Sequence, residues 1–191
     1  GLSGWNVSSV VQKILARAYT SILLIPAYHS TTPEIAGLRY EHILVPLDGS
    51  QRAECVLPIV AALAAQHGSR VTLAHVVRRP ELPRRAPPSR EDQDLANELT
   101  ERNRLEAARY LDELLARLPQ PAEVRLFVED HVSVMLQQLA QDEKIDLVVL
   151  SAHGYTGGTR WPYGSLASSF IMYGTTPLLV AQDLPRQAIE P

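Results

Sequence analysis

The sequence predicts an α/β fold: a three-layer, doubly wound sandwich around a parallel five-stranded sheet of order 3-2-1-4-5. Three observations predict it. Short apolar runs alternate with helical patterns from residue 40 onward, which is the mark of βαβ units. The runs are continuously apolar, as in strands covered on both faces. Right-handed crossovers then leave few topologies open.

The elements follow in order. Ile43-Leu44-Val45-Pro46-Leu47 is the first strand, and Asp48-Gly49-Ser50 after it is a turn and helix start. Residues 52–67 place Ala53, Val56, Leu57, Val60, Leu63 and Ala64 at helical spacing, with Gly68 as the stop. Cys55 falls on the apolar side of this helix and is expected to be buried. Val71 to Val77 is the second strand. Residues 78–90 carry four prolines and five arginines and read as a solvated loop, its charge answered by Glu91, Asp92 and Asp94. Ser89-Arg90-Glu91-Asp92 has the form of a capping box. The long helix after it runs to about Leu118, with Leu95, Leu99, Leu105, Ala108, Leu111 and Leu115 as its apolar stripe. Val124 to Val128 is the third strand and Val132 to Gln141 the third helix. Asp146 to Ser151 is the fourth strand. A glycine-rich stretch leads to a helix over Ser165 to Tyr173, and Pro177 to Ala181 is the fifth strand. The polar residues 183–191 form a loose tail.

Composition bounds the function. The chain has 191 residues, and one domain per roughly 150 residues leaves a remainder of about forty. Hydrophobic residues at 46% and charged residues at 20% exclude disordered, collagen-like and coiled-coil classes. A net charge of -3 offers no basic excess for nucleic acid. The single cysteine makes neither an internal disulfide nor a cysteine metal cluster, so a reducing, cytoplasmic setting is the expectation. The most apolar run, Val56 to Ala65, contains Pro58 and is half the length that spans a bilayer, about twenty residues. Gly1-Leu2-Ser3-Gly4 has no signal-peptide pattern and reads as the middle of something longer.

The remainder has a pattern of its own. Laid without gaps over residues 157–182, residues 1–26 place Gly1 on Gly157, Trp5 on Trp161, Ser9 on Ser165, Ile14 on Phe170 and Thr20 on Thr176. Ile22-Leu23-Leu24 then lies on Leu178-Leu179-Val180. The expectation is a closing helix and strand from a preceding copy of the same domain, joined by a linker at 27–41 to a complete domain at 42–182. Such a fragment does not fold alone, and an unpaired sheet edge is a liability. Ile22 to Ile25 is therefore expected to pair with Leu178 to Ala181, within the chain or across a dimer. Trp5 and Trp161 read as packing anchors.

The common nucleotide and hydrolase motifs are missing: neither G-x-x-x-x-G-K-[ST], nor G-x-G-x-x-G after a strand, nor G-x-S-x-G occurs. What occurs is Gly154, nine residues, then Gly164-Ser165 opening a helix. A glycine loop ending at a helix amino terminus suits phosphate, because backbone N–H groups donate and glycine lets the ligand approach. The Ser165 hydroxyl and the Arg160 guanidinium add donors. Ligands in such sheets sit beyond the carboxyl ends of the strands where strand order reverses. In order 3-2-1-4-5 that point lies between Pro46-Leu47-Asp48 and Leu150-Ser151-Ala152-His153-Gly154.

These residues carry a resemblance. Ile43 to Ser50, Ser151-Ala152-His153-Gly154-Tyr155-Thr156-Gly157 and Gly164-Ser165-Leu166 resemble the universal stress protein family, over residues 41–182. The resemblance implies the adenine nucleotide alpha hydrolase-like fold. It implies ATP, with or without Mg2+, held by the pattern G-x-x-G, nine residues, G-[ST]. Asp48 would contact the adenosine part, while Gly154, Gly164 and Ser165 hold ribose and phosphates, with Gly157 and Arg160 in the same loop. Pro46, Leu47, Val76, Leu150 and Leu166 would give apolar or backbone contacts. Ser151 stands where the pattern has its first glycine, and Pro162 interrupts the nine-residue segment. The implied role is regulatory. The alternative is an ATP-independent dimerisation or scaffold module. An ATP pyrophosphatase of related fold would need a serine- and glycine-rich loop after the first strand, which Pro46 to Ser50 does not supply. Catalytic residues are not identified: His153 has no partner carboxylate nearby in sequence and reads as turn-stabilising. Slow ATP hydrolysis through geometry alone stays compatible. Asp48 has a plainer reading too, as the cap of the first helix.

Overall fold

The computed structural model describes residues 13–15, 17–18, 20–26, 39–82, 87–118, 121–155 and 162–183. Six strands form one sheet: β1 (Ile22–Leu24), β2 (His42–Pro46), β3 (Arg70–Val77), β4 (Ala122–Val128), β5 (Leu147–Ser151) and β6 (Leu178–Ala181). Four α-helices lie wholly within the described residues: α1 (Leu57–His67), α2 (Arg90–Leu115), α3 (Val132–Asp142) and α4 (Ser165–Tyr173). The spatial order is β1-β6-β5-β2-β3-β4. Strands β2 to β6 are mutually parallel and keep the expected five-strand order. β1 adds a sixth, antiparallel strand on β6, so the sheet is mixed.

Alternation along each strand builds two cores. Ile43, Val45, Val71, Leu73, Leu147 and Val149 face α1 and α2, where Val60, Leu111 and Leu114 meet them. Leu44, Ala74, Val148 and Leu150 face α3 and α4, where Leu136, Leu139, Phe170 and Ile171 meet them. The central strands β2 and β5 are buried along their whole length. That is why their sequences read as unbroken apolar runs. The edge strand β4 is half-buried throughout.

The segment 52–67 is not one helix. Residues Ala53–Val56 form a 3-10 turn, closed by a bond from the Leu57 N–H to the Glu54 carbonyl, and α1 starts at Leu57. Pro58 explains the division: it has no N–H for the carbonyl of Glu54, four residues back. In the tighter turn Ala53 and Val56 point inward, three residues apart, and Cys55 is exposed rather than buried. Gly68 ends α1 in the left-handed region at φ 70°.

α2 opens as expected. Ser89 accepts from the Asp92 N–H, and Asp92 accepts from the Ser89 N–H at 2.9 Å. It ends at Leu115, earlier than expected. Its apolar stripe is also different. Leu95, Leu99 and Leu105 are exposed at 67%, 42% and 46%, whereas Ala107, Leu111 and Leu114 are buried. Among the described residues, none of these three leucines belongs to either apolar core. The two described arginines before α2 pair elsewhere than with its acids. Arg79 pairs with Asp130 at 3.5 Å and Arg78 with Glu81 at 3.8 Å.

β1 meets β6 through Ile22↔Val180, Leu23↔Leu179 and Leu24↔Leu178. Ser21 Oγ accepts from the Gln182 N–H, and the Tyr163 hydroxyl donates to the Ala18 carbonyl at 2.9 Å. Ile22 and Leu24 pack on the α3/α4 core, as does Leu15 in the short helical segment 13–15. Trp5, Ser9 and Trp161 lie outside the described residues.

A polar network closes the amino end of the sheet. Asp146 accepts from the Glu41 and His42 N–H groups and so ties β5 to β2. His42 is buried. Arg70 Nη2 donates to its Nδ1 at 2.8 Å, and its Nε2 meets Thr72 Oγ1 at 2.8 Å. The Arg70 donor favours a bare Nδ1, while the Glu143 carbonyl 3.2 Å from the same nitrogen accepts from a protonated one, so His42 finds a partner in either tautomer. Glu123 and Glu143 stand close to His42, but Arg125 already bonds both carboxylates, at 3.1 and 2.6 Å. The cluster is charge-balanced without an ion.

Burial and the Arg70 guanidinium hold the His42 pKa below the ordinary 6.5. The unfolded chain then binds the extra proton first, so stability is complete above about pH 6.5 and falls as pH drops. Urea unfolding of the wild type and of His42→Asn between pH 7.5 and 5 checks this. The wild type is expected to lose stability more steeply, by at most about 1.4 kcal/mol per pH unit for one group. Parallel slopes would show that His42 does not titrate in this way.

Candidate functional site

The strand order reverses between β2 and β5, which are parallel neighbours through Ile43↔Leu147 and Leu44↔Val148. Beyond their carboxyl ends lies a cleft of about 1020 Å³. Of the residues singled out in the sequence, Pro46, Leu47, Asp48, Val76, Leu150, Ser151, Gly154, Ser165 and Leu166 line it. Gly164 stands at its edge as the residue before α4. Gly157 and Arg160 lie outside the described residues.

Asp48 organises the opening. Its Oδ1 accepts from the Ser50 N–H at 3.0 Å and from Ser50 Oγ at 2.6 Å. Its Oδ2 accepts from the Tyr155 N–H at 2.6 Å. One carboxylate thus caps its own turn and holds the loop after β5 across the switch point. Gly49 takes φ 83°, which a side chain disfavours, to turn the chain there. Gly154 lies so close that a Cβ would overlap Asp48 Oδ2. Ser50 Oγ in turn accepts from the Ala53 N–H at 3.1 Å and starts the 3-10 turn.

The loop after β5 has further anchors. The Ala152 N–H donates to the Ala181 carbonyl, and the Ala152 carbonyl accepts from the Gly164 N–H, both at 2.7 Å. This sets the amino end of α4 beside Gly154. No side chain caps α4, and its first-turn residues Ser165 and Leu166 border the cleft. Those N–H groups and the helix dipole suit an anion. Ser151 is buried, and its Oγ faces Cys55 Sγ at 3.6 Å. The thiol pKa is pushed up, chiefly by burial of that sulfur. The Pro162 carbonyl accepts from Gln182 Nε2 at 3.4 Å.

His153 is not a lone turn residue. Its Nδ1 meets Asp183 Oδ1 at 2.7 Å, with side-chain exposures of only 1% and 3%. Arg52 Nε donates to Asp183 Oδ2 at 2.5 Å. The tail therefore starts with a buried, bonded carboxylate, and His153 has the carboxylate partner that its sequence neighbourhood lacks.

Sequence reasoning missed part of the wall. Asn103, Glu106 and Tyr110 border the cleft from one face of α2, and Asp130 and His131 border it from the end of β4. His75 lies edge-on to Tyr110, ring centroids 6.4 Å apart. Burial, first, and Glu54 and Asp48 push the Tyr110 hydroxyl far above its usual range. The strand-end rule applied to β3 and β4 would have reached Arg78, Asp130 and His131.

Comparison with known proteins is consistent in kind. The model of the universal stress protein family matches residues 39–182. The chain is 26% identical to the universal stress protein MJ0577 of Methanocaldococcus jannaschii, over 76% of this chain and 97% of that protein. The solved MJ0577 structure superposes with a TM-score of 0.64, over 75% of this chain and 96% of that one. A universal stress protein A homolog of Coxiella burnetii is 27% identical over 74% of this chain and 96% of its own length. A universal stress protein solved in complex with cAMP shares the fold, with a TM-score of 0.51 at 18% identity over 77% of this chain and all of that one.

Gly154→Ala is expected to expel the Asp48 carboxylate from the Tyr155 N–H and to destabilise the fold by about 1–3 kcal/mol. Urea unfolding measures the loss. A cost near zero would mean that the Asp48 bridge is dispensable.

Proposed function

The chain belongs to the universal stress protein family, and on that premise we propose that its cleft binds an adenine nucleotide, ATP foremost, in a regulatory rather than catalytic role. The observation that carries the reading is the pairing of a glycine loop with an uncapped helix start at the switch point. On this reading the Ser165 hydroxyl and the first-turn N–H groups of α4, at the border of the cleft, donate to phosphate. Pro46, Leu47, Val76, Leu150 and Leu166 supply apolar wall for the adenosine part. The cleft is of the size that ligand sites take, roughly 300–1,000 Å³. A relative of the same fold solved with cAMP bears on the ligand class. The binding role is favoured by Asp48: its bonds hold two loops together, so it does not stand as a free base. Mg2+ would accompany the triphosphate.

Calorimetry and thermal shift with Mg-ATP test this. At a hundredfold excess over its dissociation constant, a ligand stabilises by about 2.7 kcal/mol. Ser165→Ala and Gly164→Val are expected to reduce or remove the shift, since a Cβ at 164 already stands 3.4 Å from the Ala152 carbonyl. No shift at millimolar ATP, with protein free of carried-over nucleotide, would leave the association reading in its place.

That second reading is favoured by the register of β1 on β6. In the ungapped repeat Ile22, Leu23 and Leu24 correspond to Leu178, Leu179 and Val180. In space Ile22 faces Val180 and Leu24 faces Leu178, centred on Leu23↔Leu179. Equivalent strands thus cross as in a two-fold, self-complementary contact. On this reading residues 1–26 are the closing piece of another copy of the domain and β6 is an association edge. Leu23→Pro puts a fixed φ and a ring at the centre of the short β1 pairing and is expected to free that edge. The variant is expected to form a concentration-dependent dimer in sedimentation velocity, above the wild-type level. A variant no more associated than the wild type would count against an association edge.

A further inference from the structure

We propose that Glu106 is a specificity-determining residue of the cleft: its carboxylate accepts a hydrogen bond from the amine of the purine and so selects an amino purine over an oxo purine; this rests on the nucleotide reading above. The described wall of the cleft carries four carboxylate or guanidinium side chains, Asp48, Arg78, Glu106 and Asp130. Three are engaged. Asp48 accepts from Ser50 and Tyr155, Asp130 faces Arg79 at 3.5 Å, and Arg78 faces Glu81 at 3.8 Å. The Glu106 side chain has no hydrogen bond or ion pair with any described residue. Arg102 and Arg109 lie within about one helical turn of it, and neither bonds it. Asn103, on the same face, is equally unbonded, but its amide can donate or accept and so discriminates little.

The sheet order decides which part of the ligand meets Glu106. The cleft crosses the ends of β5, β2, β3 and β4 in turn. The uncapped start of α4 stands at the β5 end, tied to the loop after that strand. Phosphate bound there leaves the base toward β3, two strand spacings or about 10 Å away. α2 follows β3 and packs across β3 and β4. Asn103, Glu106 and Tyr110, at steps of three and four residues, therefore border the base end. The reverse orientation would set phosphate against the unpaired Glu106 charge. Pro46, Leu47 and Val76 offer apolar area that any purine uses alike, so selection falls to the polar wall. An ionised carboxylate only accepts, and it favours a ligand edge that donates. The exocyclic amine of adenine is such an edge. Hypoxanthine presents a carbonyl oxygen at the same position, lone pair against lone pair. A site that hydrogen-bonds a group rejects the analogue without it. A glutamine in place of Glu106 can donate to that oxygen, so one substitution relaxes the preference.

Separate calorimetric titrations of the full chain with Mg-ATP and with Mg-ITP, its inosine counterpart, test this. The wild type is expected to bind ATP about tenfold or more tightly than ITP. Glu106→Gln is expected to bind ITP more tightly than the wild type does and to bring the two ligands within about threefold of each other. Glu106→Ala is expected to lose ATP affinity without losing ITP affinity. Glu106 is exposed, so neither variant burdens the fold. A structural or long-range electrostatic role would move both ligands by one factor, since their triphosphates are identical. An ATP-to-ITP ratio that is the same in the wild type and in Glu106→Gln, or a wild type that binds the two alike, would overturn the role of Glu106 and leave the nucleotide reading intact. A wild type that binds neither triphosphate would overturn the nucleotide reading, and this inference with it.

Discussion

The cleft depends on one exposed carboxylate. β2 and β5 are parallel neighbours, buried along their length, and the loops that leave their carboxyl ends run to opposite sides of the sheet. Something must hold those loops at a fixed separation if the opening is to have a shape. Asp48 does so by accepting from Ser50 on its own side and from Tyr155 on the other. Two glycines are conditions for that bridge: Gly49, which turns the chain at positive φ, and Gly154, whose missing Cβ leaves room for Oδ2. A glycine at 154 is thus demanded by the protein's own architecture before any ligand arrives. The resemblance reads it as a place of close approach for phosphate. The two demands coincide, since the same bare backbone serves both.

The fold was legible because its signals are local. A strand covered on both faces must be apolar throughout, and Ile43 to Val45 and Leu147 to Leu150 are. The capping box at Ser89 and the stop at Gly68 are set by residues within one turn of the helix end. The errors arose where a local pattern has two outcomes. Helical spacing over 52–67 was correct in period, but Pro58 moves the α-helix start to Leu57 and leaves a 3-10 turn ahead of it. That small change in winding leaves Cys55 exposed along its backbone side, with its sulfur half-buried against Ser151. In α2, Leu95, Leu99 and Leu105 have the right spacing for a buried stripe. Periodicity gives the apolar stripe but not how far the apolar core extends beneath it.

The site was legible in its frame and not in its supports. The strand-end rule located Asp48, Gly154 and Ser165 together, because topology alone brings their loops to one place. It placed His153 at the same strand end but was silent on its partner Asp183, thirty residues away beyond α4 and β6, because nothing in a pairwise spacing says that they will meet. The same holds for His75 and Tyr110, which come from a strand and a helix. On α2 the cleft side is marked by Asn103, Glu106 and Tyr110, a polar face that a search for apolar stripes passes over.

The two functional readings share one short stretch of chain. β6 is apolar and stands next to the exposed edge that β1 covers, and the residues just after it do two jobs. The Gln182 N–H bonds to Ser21 beside β1, and Asp183, the next residue, holds His153 and Arg52 at the cleft. Ala181, one residue earlier, accepts from Ala152 in the glycine loop. Backbone from 181 to 183 is therefore bonded on one side to the strand that seals the sheet edge and on the other to the loop beside the candidate phosphate site. The strand that covers the sheet edge and the loop beside the candidate phosphate site are thus tied to one short segment of chain.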